Sequence, residues 1–146
     1  STLLFGPARD VRVSCEKLAS NIPQGDTMSA HIRFRNGGTA YVSATLATPF
    51  ISRFAVFGTS GWIDIRDKAH VESPAGWVVS SATTGSPITT IEIPPAEPVK
   101  DNLVAFARAV RGQAAYPITG EQLVNNISIL EAIIRSAAQD GAVVTL

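Results

Sequence analysis

Residues 27–35 alternate without a break. Met28, Ala30, Ile32 and Phe34 fall on one side, and Ser29, His31, Arg33 and Arg35 on the other. A period of two is that of a half-buried strand. Asn36-Gly37-Gly38 predicts a hairpin turn, because these residues accept positive φ at little cost. Residues 39–47 return with Ala40, Val42, Ala44 and Leu46 against Tyr41, Ser43 and Thr45. Residues 10–19 carry the same alternation through Val11, Val13 and Cys15. A second hairpin is expected from 51–57 and 62–66 around Gly58-Thr59-Ser60-Gly61, and a third from 69–73 and 76–82 near Pro74-Ala75-Gly76. Residues 86–93 predict a last strand, which Pro94, Pro95 and Pro98 close.

The period then changes. Val99, Leu103, Phe106 and Val110 recur at helical spacing over 99–111, and Gly112 ends that helix. A longer helix is expected over 119–141. Thr119 and Gln122 form a capping-box pair and Gly141 suits the C′ position. Its stripe runs through Leu123, Ile127, Leu130, Ile134 and Ala137, widened by Val124 and Ile133. Burying that stripe is worth on the order of 10 kcal/mol gross at roughly 1.5–3 kcal/mol per large aliphatic side chain. Residues 142–146 are apolar and β-branched, as in a short edge strand.

Strands followed by two helices predict an α+β domain: an open, mostly antiparallel sheet with two main helices packed on one face. The helices are expected over Met28, Ile32, Phe34, Val42 and Leu46. The opposite face carries Arg12, Glu16, His31, Arg33, Tyr41, Ser43, Thr45 and Arg53, and is left uncovered.

Composition narrows the picture. With 146 residues, 45% of them hydrophobic and 16% charged, the chain is expected to form a single domain over 1–146. Its formal net charge is zero and no basic run occurs. That argues against a nucleic-acid partner or an anionic membrane surface. Cys15 is the only cysteine, so there is neither an intrachain disulfide nor a cysteine cluster for a metal, and a reducing cytoplasmic location is expected. The opening Leu3-Leu4-Phe5-Gly6 starts mid-pattern, as at the cut end of a longer chain.

Few residues suggest chemistry. His31 and His70 stand about forty positions apart, too isolated for a metal or general-base constellation. His70 reads as a surface residue, whereas His31 shares its strand face with Arg33 and, across the hairpin, Tyr41. Ser60 lies in Gly-x-x-Gly rather than Gly-x-Ser-x-Gly, so a turn is expected and not a nucleophile. No helix directly follows those glycines to hold a phosphate. Cys15 reads as a small strand residue, and Trp62 and Trp77 as sheet-packing side chains. The residues singled out as an interface or substrate-side set are His31, Arg33, Tyr41, Ser43 and Arg53. Arg and Tyr are favoured at polar interfaces.

Four stretches together resemble the second domain of the glucose–fructose oxidoreductase / inositol dehydrogenase / MocA family. Phe54-Ala55-Val56-Phe57-Gly58-Thr59-Ser60-Gly61-Trp62-Ile63-Asp64-Ile65 is similar to its strand–Gly-x-x-Gly–strand signature. The helix ending at Gly112, with Tyr116-Pro117-Ile118 and then Gly120-Glu121, resembles its Phe…Gly…Pro…Gly segment. Leu130-Glu131-Ala132, Ser136-Ala137 and Gly141 resemble its terminal helix. Leu3-Leu4-Phe5-Gly6 and Val11 are similar to the stretch after its catalytic segment. The resemblance implies a parent oxidoreductase that uses NAD or NADP on a small polar substrate, a sugar, cyclitol or related polyol. It also implies an N-terminal dinucleotide-binding (Rossmann) domain absent from this chain, and homo-oligomerisation through the open sheet face. The family's Gly-x-Gly-x-x-Gly, Glu-Lys-Pro and Asp-x-x-x-His are not found here, and Glu16-Lys17-Leu18 lacks the proline. No catalytic, cofactor-binding or metal residue is therefore carried over, and this chain alone is expected to be silent. The alternative is a free-standing binding or regulatory module of the same fold.

Overall fold

The alternating stretches near the start of the chain do pair. In the computed structural model, which describes residues 2–23 and 25–146, the elements run α1 (Thr2–Phe5), β1 (Ala8–Glu16), β2 (Thr27–Phe34), β3 (Thr39–Thr45), β4 (Arg53–Gly58), β5 (Gly61–Asp67), β6 (Trp77–Thr83), β7 (Thr89–Ile93), α2 (Pro98–Val110), α3 (Gly120–Ala138) and β8 (Val144–Thr145). The class is α+β, as the order of elements predicts. The antiparallel strands divide into two open four-stranded sheets, ordered β3-β2-β1-β8 and β4-β5-β6-β7. Each sheet lies in its own unit: Ser1–Thr48 with Ala115–Leu146, and Pro49–Ala114.

In the first unit the register places Val11 beside Ile32 and Ala40, and Val13 beside Ala30 and Val42. These residues share the face that meets α3. A bulge between Ala8 and Asp10 shifts the parity of β1, so Ala8 joins the apolar face opposite Phe34. Phe34 is fully buried and stacks on Phe5 with ring centroids 5.2 Å apart. Val11, Val13, Ala30, Ile32, Phe34 and Val144 close the core with Ile129 and Ala132 of α3.

α3 begins as predicted. The Thr119 hydroxyl accepts from the Gln122 amide at 3.2 Å, and the Gln122 side chain accepts from the Thr119 amide at 2.9 Å. Its seating differs from the predicted stripe. Ile129, Ala132 and Ser136 are buried, with Ile133 and Ala137 beside them, while Leu123, Ile127, Leu130 and Ile134 are exposed. The helix is apolar on two sides, and the sheet takes the side with the small residues. Ala132 and Ser136 let the axis come close to β1, which Leu130 and Ile134 would prevent.

Ser136 also makes the tightest polar link. Beyond Val11 the edge of β1 has no strand partner, because β8 pairs only Asp10 and Val11. The Ser136 hydroxyl accepts from the Val13 amide at 3.0 Å and donates to the Ala142 carbonyl at 2.7 Å. The chain leaves α3 through a turn in which Asp140, with φ 54°, takes the left-handed position expected of Gly141. The Gly141 amide then donates to the Ser136 carbonyl at 2.9 Å. Gly141 itself has φ 76°, and a Cβ there would approach the Val13 carbonyl oxygen to 2.8 Å.

The second unit corrects two expectations. Residues 69–73 do not form a strand: the Ser73 amide donates to the His70 carbonyl at 2.9 Å, and the Glu72 amide to the His70 ring Nδ1 at 3.3 Å. Local turn bonds thus consume the donors that a ladder would need. β6 pairs instead with β5 and β7, and β7 starts at Thr89, after a turn at Thr84-Gly85. α2 opens on Pro98 and has no buried side chain.

Residues 18–20, just after β1, are tied down by Asp26. Its carboxylate accepts from the Leu18, Ala19 and Ser20 amides at 3.0, 2.7 and 2.5 Å, and from the Thr27 hydroxyl at 3.0 Å. The bonds from Leu18, Ala19 and Ser20, that from Leu18 first, hold its pKa well below the usual carboxylate range, against a smaller opposing effect of burial.

Two outcomes follow. Ser136→Ala leaves the buried Val13 amide without its partner, while the exposed Ala142 can turn to water, and should cost about 1–3 kcal/mol, the penalty for one unsatisfied buried group. Urea unfolding monitored by circular dichroism measures this; an unchanged midpoint would show that water replaces the hydroxyl. For Asp26, a depressed folded-state pKa gives stability that is full above the unfolded value of about 3.9 and is lost as pH falls below it. Asp26→Asn should therefore be less stable than the parent at pH 7, with the difference closing in acid. A gap independent of pH would contradict this origin.

Candidate functional site

The face of the first sheet opposite α3 is built in cross-strand rungs. Asp10, Arg33 and Thr39 form one, Arg12, His31 and Tyr41 the next, then Ser14, Ser29 and Ser43, and finally Glu16, Thr27 and Thr45. Four of the five residues singled out in the sequence, His31, Arg33, Tyr41 and Ser43, therefore meet on one surface. The strict alternation of β2 and β3 puts them there. The fifth, Arg53, lies in β4 of the other unit.

The chemistry of the face is mixed. His31 and Tyr41 stack with ring centroids 4.7 Å apart and planes inclined by 8°. His31 Nε2 is buried and has no hydrogen-bond partner. Tyr41 is 80% exposed, so its outer ring face and hydroxyl look into solvent. An open groove of about 450 Å³ runs over Arg12, Ser14, Ser29, His31, Tyr41 and Ser43.

Arg33 is committed within the chain. Its Nε donates to Asp10 at 2.6 Å, and Arg9 donates to the other carboxylate oxygen at 3.0 Å. The Arg33 bond holds the Asp10 carboxyl below its usual range, and Asp10 in turn raises the Arg33 pKa. Asp10 is nearly buried, so the pair is a fixed brace at one end of the face rather than a free charge.

Arg53 is committed in the same way. It donates to Asp64 at 2.6 Å, and Arg66 donates to the same carboxylate at 3.1 Å. Asp64 is buried, and its carboxyl is held below the usual range chiefly by Arg53. On the same side of this sheet, Phe57 and Trp62 pair across the β4–β5 hairpin beside a hollow of about 280 Å³.

Asp10, Asp26 and Asp64 order these surfaces, yet none stood out in the sequence. Asp64 and Arg66 could have been found, since a spacing of two places both on one strand face. Asp10 was masked by the bulge, and Asp26 by the loop it holds. His70 is a surface residue set edge-on to Phe50. Cys15 is exposed beside Met28 on the apolar side of the sheet. Among the described residues, no three His, Cys, Asp or Glu side chains converge to hold a metal ion, and no helix is long and apolar enough to cross a membrane.

Comparison with known proteins agrees with this architecture. A D-xylose 1-dehydrogenase (NADP(+)) from Haloferax volcanii is 29% identical over 116 residues, which is 80% of this chain and 35% of that protein. The chain thus spans about a third of that relative's length. The structure of an aldose-aldose oxidoreductase from Caulobacter crescentus, complexed with glycerol, superposes with a TM-score of 0.78 at 20% identity, over 99% of this chain and 43% of that one. The WlbA dehydrogenase from Bordetella pertussis, in complex with NADH and UDP-GlcNAcA, superposes with a TM-score of 0.62 at 23% identity, over 99% of this chain and 40% of that one. The model of the oxidoreductase family's C-terminal alpha/beta domain matches residues 1–146. With that match spanning its whole length, the chain belongs to the glucose–fructose oxidoreductase / inositol dehydrogenase / MocA family, as its C-terminal domain.

Proposed function

We propose that this chain is the substrate-side and oligomerisation domain of an NAD(P)-dependent oxidoreductase that acts on a sugar, cyclitol or related polyol. The observation that carries the reading is the family match along the whole chain, joined to a relative that oxidises a pentose. The division of labour rests on what these residues offer. A dinucleotide needs a glycine-rich turn between a strand and a helix N-terminus. Here Gly58 and Gly61 join two strands, α2 follows a proline-rich stretch, and the first amides of α3 are capped by Thr119. These residues do not fit the cofactor. Its site belongs to an N-terminal dinucleotide-binding domain in the intact protein, which contributes the reactive groups. This chain closes the substrate cleft and carries the contacts between subunits. The open face with His31, Arg33, Tyr41 and Ser43 supplies those contacts, because it is polar, aromatic-bearing and uncovered by the helix of its own unit.

The intact protein should reduce NADP+ or NAD+ with at least one aldose or cyclitol in a panel, followed by nicotinamide absorbance. No turnover with any polyhydroxylated compound would favour a non-enzymatic binding module. Titrating the present chain with either nucleotide should give no saturable signal, and measurable binding would contradict the assignment. Light scattering of the intact protein at several concentrations should give a mass above the monomer.

A further inference from the structure

α1 is short, yet it and the residues after it are fixed at three points. The Thr2 hydroxyl donates to Asn126 Oδ1 of α3 at 2.6 Å, and Thr2 is buried. Asn126 stands one turn before the buried Ile129, on the side of α3 that packs on the sheet. Phe5 lies one turn on from Thr2. Its ring stacks on Phe34 and fills the space that a Cβ on Gly38 would take, 2.6 Å from its Cδ1. The Pro7 carbonyl accepts from the Arg35 amide at 3.1 Å. Even Gly6 is held, since its amide donates to the Thr2 carbonyl at 2.9 Å. Leu3 and Leu4 take the outer side and are exposed. A flexible linker would be rich in glycine and serine and free of such contacts.

From this we infer that Asn126 is a positioning residue, whose bond to Thr2 sets the angle at which the N-terminal domain of the intact protein meets this one. The inference rests on the reading above, in which a dinucleotide-binding domain precedes this chain and so connects to it through α1. Phe5 and Pro7 fix the end of α1 nearest β1. The Thr2–Asn126 bond fixes the other end, where the preceding domain joins. A short helix pinned at one end pivots, and one pinned at both ends does not. A polyol held between two domains binds only when their relative angle is right, so its apparent affinity falls with the fraction of molecules in that arrangement. A nucleotide held by the first domain alone is indifferent to the angle. The bond therefore acts on one substrate and not on the other.

Four variants of the intact protein test this. Thr2→Val and Asn126→Ala remove the bond, whereas Thr2→Ser keeps the donor and Asn126→Asp keeps the acceptor. The first two should raise KM for the sugar or polyol about threefold or more, with the Kd for the nucleotide unchanged, and the last two should stay within about twofold of the parent. Combining Thr2→Val with Asn126→Ala should be no worse than either alone, since both remove one bond. A bond that merely stabilised the fold would instead lower Tm and the active fraction, so that kcat falls at constant KM. That result, or a parental KM in both bond-breaking variants, overturns the inference. Limited digestion with chymotrypsin gives a readout independent of turnover. Leu3, Leu4 and Phe5 are its cleavage sites in α1, and they should be cut about fivefold faster or more in Thr2→Val and Asn126→Ala than in the parent. An intact protein inert toward every polyol overturns the enzymatic reading. The digestion then still decides the junction, and equal rates of cleavage in α1 overturn it.

Discussion

The first unit depends on how closely α3 approaches β1. A helix lies near a sheet only if the side chains between them are small, and Ala132 and Ser136 are both fully buried at that contact. Close approach creates a debt, because the edge of β1 keeps an unpaired amide at Val13 once β8 has ended. Ser136 meets it with the same atom that fastens the chain leaving the helix. One hydroxyl thus ties helix, central strand and edge strand. Gly141 is the corollary, since its missing Cβ is the space in which the Val13 carbonyl sits.

Most of the fold was legible because most of it is periodic. Alternation over β1 to β3 fixed which residues share a face, and the cap at Thr119 fixed where α3 begins. What could not be read was the choice between two apolar sides of one helix. Leu123, Ile127, Leu130 and Ile134 make the larger stripe, and bulk suggests burial. The sheet selects for fit instead, and the stripe with smaller residues allows it. The failed strand over 69–73 has a similar cause. His70 supplies both a ring nitrogen and a carbonyl to nearby amides, and such local competition leaves no trace in hydrophobic pattern.

The candidate site was half visible. His31, Arg33, Tyr41 and Ser43 share a face because their parity is the same, and parity is written in the sequence. Arg53 was grouped with them by residue type, but residue type cannot say that the strands divide into two sheets. Asp10 and Asp64 decide which arginines are spent and which remain available. Each was hidden by pairing between segments distant in sequence, which only register reveals.

The bulge at the start of β1 has a consequence for descent. It corrects parity once, before the long alternating stretch, and from there the two faces of the sheet share a backbone but no side-chain contacts. Residues such as Ile32 and Val13 answer to the interior, while Arg12, His31 and Tyr41 answer to whatever lies outside. Selection can therefore rewrite one set while the other stands still. A domain built this way can change its associations over generations at little risk to its own architecture, and sister proteins can diverge in company while agreeing in shape.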